Sequence, residues 1–255
     1  MLRFQAHRGD SFLFPENTMA SYRAAIREGY LLIELDPRYT SDGHFVLLHD
    51  PSVNRTGRRA DGSALEVNTR LTDITLEEAR QLEYGSWKDE KFRGEQLPTL
   101  ADVLAMVREA PQVALKLDNV WNYYPPEVRK AFLKELADSG LGSQIGLTFC
   151  KMELIPEVVA ALPQAQIHWD GTCNPENFRK VAEMAAGHQI YFWLCFDNPE
   201  TSWYKEPKAS EELCACARSL GARVGIWLLK HPDELAEAVR RFNPDAIETN
   251  GQLKP

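Results

Sequence analysis

Short runs of apolar, β-branched and aromatic residues recur along the chain, most of them followed by stretches with apolar positions every three or four residues. The runs are FQAH (4–7), LLIELD (31–36), FVLLH (45–49), VALKLD (113–118), IGLTFC (145–150), AQIHWD (165–170), IYFWLCF (190–196), VGIWLL (224–229) and DAIET (245–249). Runs of this length and composition predict strands. Amphipathic spacing predicts helices over 17–29, 99–110, 125–140, 175–187, 209–221 and 232–242. In the first of these, Met19, Tyr22 and Ile26 share a face, Asn17 or Thr18 can cap the start, and Gly29 ends the run.

Strand-then-helix alternation implies a parallel sheet covered on both faces. Continued in one series to the end of the chain, it favours an α/β fold of the closed TIM (β/α)8 barrel type over an open sheet. Nine candidate strands compete for eight places, so one is a hairpin arm or an edge extension. Two places break the rhythm. PRYTSDGH, between the second and third runs, is too short for a crossover helix. Residues 51–97 form a polar stretch with one short helical pattern, TLEEARQLE, and read as a small insertion after the third strand. The expectation is one barrel domain over 1–255 that carries this insertion.

Hydrophobic residues make up 44% and charged residues 26% of the 255, an ordinary globular balance. The net charge of −8 argues against general affinity for nucleic acid or an anionic membrane, but leaves room for a small anion held by local cations. The five cysteines are odd in number and no pair has CxxC spacing, which points to reduced thiols and a cytoplasmic protein. No signal peptide or spanning segment is visible, so no stable membrane anchor is expected.

In a parallel barrel the C-terminal strand ends converge on one face. Here those ends read His7-Arg8, Glu34-x-Asp36, His49-Asp50, Lys116-x-Asp118 and Glu248-x-Asn250. Residues two apart on a strand project to the same side, so Glu34 joins Asp36 and Lys116 joins Asp118. Carboxylate oxygens from Glu34, Asp36 and Asp118 suit a hard divalent ion, Mg²⁺ or Ca²⁺ with Mn²⁺ also acceptable, better than zinc. Arg8 and Lys116 complement phosphate oxygens. His7 and His49 can serve as base and acid near neutral pH. The set supports metal-assisted displacement at phosphorus. Glu248 and Asn250 read as supports of the site. His44, His168, His188 and His231 have no partner pattern and read as structural. The aromatic loops VWNYYPP (120–126) and NPETSWYKEP (198–207) either line a substrate pocket or pack on themselves. Trp121 is the pocket candidate from the first.

HRG (7–9), PENT (15–18), ELD (34–36), TSDG (40–43), HD (49–50), PTL (98–100), the Trp of GIW (Trp227) and DAIET (245–249) together resemble the glycerophosphodiester phosphodiesterase family. The resemblance spans nearly the whole chain, densest in the N-terminal half. It implies catalytic His7 and His49, a phosphate-binding Arg8, and metal ligands Glu34 and Asp36. Trp227 and Asn17 become pocket candidates. The family's Glu-x-Lys pair appears here as Lys116-x-Asp118, with acid and base exchanged. Asp118 is then expected on the metal and Lys116 on the phosphate. Thr249-Asn250 stands where Thr-Asp is common, and LLK replaces the polar residues that usually follow the tryptophan.

The reaction so implied is hydrolysis of a small-molecule glycerophosphodiester to glycerol 3-phosphate and an alcohol. One histidine deprotonates the glycerol hydroxyl beside the phosphate while the other protonates the leaving alcohol; water then opens the cyclic phosphate. The order of the two histidines is open at this level. Two other readings remain: a related phosphodiesterase with another headgroup or lipid substrate, and a non-catalytic barrel that binds a phosphodiester.

Overall fold

A computed structural model describes residues 1–255. The strands in chain order are β1 (Arg3–Ala6), β2 (Leu32–Leu35), β3 (Pro37–Tyr39), β4 (Phe45–Leu47), β5 (Ala114–Leu117), β6 (Ile145–Phe149), β7 (Gln166–Trp169), β8 (Ile190–Cys195), β9 (Arg223–Trp227) and β10 (Ala246–Thr249). Eight of them close a parallel barrel in the order β1-β10-β9-β8-β7-β6-β5-β2. β3 and β4 stand apart as an antiparallel hairpin that pairs Pro37 with Leu47 and Tyr39 with Phe45.

The TIM-type barrel expected from the sequence is therefore present. FVLLH is the ninth run that had no place in it: a connection of this length allows only antiparallel return, so the strand folds back on β3. The insertion counted as following the third strand thus follows a hairpin arm, and the excursion from the barrel begins after β2. Residues in that excursion have an apolar centre of their own, in which Val46, Leu48, Val53, Leu71, Ala79, Tyr84 and Leu97 are buried together. Polar composition had hidden it, because its apolar residues are spread thinly along the chain.

The α-helices are α1 (Met19–Arg27), α2 (Leu76–Ala79), α3 (Leu100–Arg108), α4 (Pro126–Asp138), α5 (Ile155–Ala161), α6 (Pro175–Met184), α7 (Glu211–Ser219) and α8 (Pro232–Phe242). α1 starts in a capping box between Thr18 and Ser21, which settles the cap on Thr18. α5 escaped the sequence reading because it is only seven residues long. None of the helices is long and apolar enough to cross a membrane.

Strand alternation divides the side chains between two cores. Ile33, Leu35, Leu115, Leu117, Leu147 and Ile167 point outward into the main core, with the apolar faces of the helices. Inside, Leu32, Ala114, Tyr191, Trp193 and Ala246 fill the barrel. Gly225 makes room for Trp193: a Cβ there would stand 2.4 Å from the indole. Trp193 Nε1 donates to His168 Nδ1 at 2.8 Å, and His168 stacks on Tyr191 at 4.8 Å. This indole caps the packed interior and becomes the floor of whatever lies above it.

Candidate active site

A cleft of about 360 Å³ opens at the C-terminal strand ends, lined by His7, Arg8, Glu34, Asp36, His49, Lys116, Asp118, Asn119, Asp170, Trp203, Trp227, Leu228 and Glu248. His7 and Arg8 leave β1 in a tight turn. Arg8 adopts a left-handed φ of 58°, a conformation that costs a non-glycine residue on the order of 1 kcal/mol. Its backbone N–H donates to Glu34 Oε2 at 2.9 Å. Gly9 follows at φ 79°, and a Cβ on it would lie 2.4 Å from Ser21 Oγ. The turn is thereby pressed against the start of α1, where Ser21 Oγ donates to the Arg8 carbonyl.

Side chains around Arg8 fix it in place. Its guanidinium donates to Glu16 at 3.0 Å, and its Nε lies 3.4 Å from Asp36 Oδ2. Burial works against its charge, yet Asp36, Glu16 and Glu34 overcome this and hold its pKa above the ordinary value. Asn17, also left-handed, donates from Nδ2 to Asp36 Oδ2 at 2.6 Å and accepts from the Tyr22 hydroxyl at 2.7 Å. Asn17 thus stands behind Asp36 as an orienting amide rather than on the cleft surface.

Glu34, Asp36 and Asp118 each present a carboxylate oxygen, and the three atoms lie within 4.8 Å of one another. Two ligands on either side of an ion at about 2.0–2.6 Å are separated by about 4–5 Å, so the trio fits a hard divalent cation. Electrostatics agree. Burial, then Asp36 and Asp118, push the Glu34 carboxyl well above its usual range, and burial with Asp36 raises that of Asp118. A cation between them relieves that repulsion.

Lys116 sits on the floor. Its Nζ is 3.5 Å from Glu248 Oε2 and 4.6 Å from the centre of the Trp193 ring. Burial opposes its charge, but Glu248, Asp170 and Asp118 outweigh it and raise its pKa. Asp170, at the end of β7, is pushed up to about 7 by burial, with Asp118 and Glu248 adding to the rise and Lys116 opposing it.

The two histidines have different partners. His7 Nδ1 meets Asn250 Oδ1 at 2.7 Å, while its Nε2 faces Glu34 Oε2 at 3.9 Å. With an amide oxygen as acceptor, Nδ1 is the donor of this contact, and Nε2 is the nitrogen turned toward the acidic trio. His49 Nδ1 meets a carboxylate, Asp50 Oδ1, at 2.6 Å. Asp50 in turn accepts from Arg55 Nε at 2.7 Å, and Arg55 donates to Glu16 at 2.6 Å. Burial tends to raise the Asp50 pKa, but Arg55 and His49 bring it below the ordinary value. A chain of charged contacts therefore runs from His49 through Asp50, Arg55 and Glu16 to Arg8.

Of the residues singled out in the sequence, His7, Arg8, Glu34, Asp36, His49, Lys116, Asp118 and Trp227 meet in this cleft. Trp121 does not. It is fully buried, donates from Nε1 to the Thr148 carbonyl at 3.0 Å, and packs edge-on to Phe149. The five-residue 3₁₀ turn after β5 rolls it into the core and leaves Tyr123 exposed instead. Asp170 was missed, although AQIHWD ends on an acid just as LLIELD and VALKLD do. Arg55 was missed as well; nothing in its local sequence marks a partner 39 positions earlier.

The sequence pattern of the Glycerophosphoryl diester phosphodiesterase family matches residues 7–155. A glycerophosphodiester phosphodiesterase of Caldanaerobacter subterraneus subsp. tengcongensis is 43% identical over 191 residues, which cover 73% of this chain and 75% of that protein. A solved glycerophosphodiester phosphodiesterase from Agrobacterium tumefaciens superposes with a TM-score of 0.71 at 19% identity, over 98% of this chain and 96% of that one. An Oleispira antarctica phosphodiesterase, solved with the product sn-glycerol-3-phosphate, gives 0.73 at 19% identity, over 98% and 93%. At these identities the two structures speak for the fold alone.

Proposed function

Since the chain belongs to the Glycerophosphoryl diester phosphodiesterase family and is a glycerophosphodiester phosphodiesterase, we propose that its cleft yields sn-glycerol 3-phosphate and an alcohol by proton transfer through His7 and His49. The observation that carries this reading is the meeting of both imidazoles, Arg8, Lys116 and the Glu34–Asp36–Asp118 trio in one cleft.

His7 takes the proton of the glycerol hydroxyl beside the phosphate at Nε2, because its Nδ1 is committed to Asn250. That hydroxyl oxygen attacks phosphorus, and the bond from phosphorus to the alcohol oxygen breaks. His49 donates its Nε2 proton to the departing oxygen; its Nδ1–H contact with Asp50 supports the charged ring beforehand. His49 then accepts a proton from water, which opens the cyclic phosphate, and His7 returns its proton to the released glycerol oxygen. Arg8 and Lys116 hold the phosphoryl oxygens, and Glu16 with Asp36 keeps the guanidinium aimed. A divalent ion of the Mg²⁺, Ca²⁺ or Mn²⁺ kind would be held by Glu34, Asp36 and Asp118 and supplies, when bound, Lewis-acid stabilisation of phosphoryl charge. The five unpaired cysteines fit a reducing compartment, and we place the enzyme in the cytoplasm, acting on phospholipid breakdown products.

The test is release of sn-glycerol 3-phosphate from glycerophosphocholine, with metal added and then chelated. Metal-dependent release that His7→Ala and His49→Ala each abolish is expected. No release with any divalent metal would overturn the reading.

A further inference from the structure

One wall of the cleft takes no part in the chemistry above. In the closed strand order, β7, β8 and β9 lie across the mouth from β1, β2 and β5, which carry His7, Glu34, Asp36 and Asp118. That far wall consists of Asp170 at the end of β7, Trp203 in the loop after β8, and Trp227 at the end of β9. Resting on the phosphodiesterase reading, we propose that Asp170, Trp203 and Trp227 form a subsite for a cationic alcohol, a primary or quaternary ammonium headgroup.

Charge accounting across the cleft leads there. Arg8 is paired with Glu16 and Asp36, and Lys116 with Glu248. Glu34, Asp36 and Asp118 form the cation-binding trio, and Asp170 stands outside it. The Asp170 carboxylate, sunk in the wall, has no hydrogen bond or ion pair with any side chain. A lone carboxylate facing a phosphate site repels the substrate, unless the substrate itself brings a positive charge to that wall.

The aromatic groups match the same ligand. Trp203 and Trp227 have ring centres 6.2 Å apart, and Tyr204 stands edge-on to Trp227 at 4.9 Å, backing it. Trp203 is 66% exposed, a large indole left open at the cleft edge. Indole faces beside a carboxylate recognise alkylammonium groups through cation–π attraction together with an ion pair. The cleft, at about 360 Å³, has the size of a small-ligand pocket and takes a glycerophosphodiester with a short headgroup.

The experiment compares kcat/KM for glycerophosphocholine and glycerophosphoethanolamine with that for glycerophosphoglycerol, whose leaving alcohol is neutral. Alongside it, choline alone is titrated against the protein by tryptophan fluorescence. Wild type is expected to favour the cationic substrates by on the order of tenfold and to bind choline. Asp170→Asn should lose most of that preference through KM, and Asp170→Glu should recover part of it. Trp203→Leu, on an exposed loop, should weaken choline binding without loss of fold. Equal losses on all three substrates in Asp170→Asn, or no choline binding and no cationic preference in wild type, would overturn the subsite. Absence of all hydrolysis would sink the phosphodiesterase reading instead, and the choline titration of wild type against Asp170→Asn would still decide the subsite.

Discussion

Asp170→Asn also makes a stability prediction that requires no substrate. The folded protein holds this carboxyl at about 7, against 3.8 for the free side chain. Lys116 on β5, Asp118 just after it and Glu248 on β10 are the charged groups that face it. A folded-state pKa above the unfolded one means that the native state binds a proton the unfolded chain has released. Stability from this group is complete below pH 3.8 and is lost as pH rises to about 7. At about 1.4 kcal/mol per unit, the interval of 7 minus 3.8 amounts to roughly 4 kcal/mol. The amide removes that deficit. Because the cleft opens to water, the gain for Asp170→Asn at pH 8 should fall between about 2 and 4 kcal/mol. At pH 5 it should shrink to about 1 kcal/mol. Urea unfolding of both proteins in chelator, at pH 5 and pH 8, measures this directly. A variant less stable than wild type at pH 8, or a gain that does not change with pH, refutes the electrostatic account of Asp170.

Three further outcomes follow from the geometry. Mg²⁺, Ca²⁺ or Mn²⁺ should raise the melting temperature of chelator-treated protein in a concentration-dependent way, and Glu34→Gln with Asp36→Asn should erase the shift; an unchanged shift in the double variant would move the cation elsewhere. Asp50→Asn should lower kcat on the order of tenfold or more with KM nearly constant, because the carboxylate acts on His49 rather than on substrate; a pure KM effect would contradict this. Trp121→Ala should cost about 3–5 kcal/mol in denaturant unfolding, as large core truncations do. Trp121→Phe, which loses the Thr148 hydrogen bond but keeps most of the volume, should leave KM unaltered; a raised KM would return Trp121 to the pocket.

The barrel was readable because its strands are buried on both faces and so appear as unbroken apolar runs. Even the surplus run betrayed itself, since eight residues between LLIELD and FVLLH leave no length for a crossover. What hides is burial achieved by scattered residues. Val53, Leu71, Ala79 and Leu97 build the second core from positions with no common period. The candidate site shows a similar division. His7, Arg8, Glu34, Asp36 and His49 are visible as polar residues that terminate apolar runs. Asp170 occupies an equivalent place, but the groups that give it meaning, Lys116, Asp118 and Glu248, belong to strands distant in sequence. Trp121 was misplaced for a plainer reason: within VWNYYPP no spacing rule says which ring a 3₁₀ turn will carry inward.

The pairing of His7 with Asn250 joins residues 243 positions apart, and β1 closes the barrel against β10. The history of the chain during its synthesis follows from that contact. The ribosome makes His7 243 residues before the amide that orients it. At about 5–20 residues per second, His7 waits about 12–50 s before Asn250 exists. Throughout that interval β1 also lacks one of its two neighbours, and its open edge must be kept from pairing with other nascent chains. Barrel closure and the pairing of His7 with Asn250 are thus one event, and a ribosome stalled short of β10 carries a polypeptide that contains nearly every residue of the cleft but not the amide that orients His7.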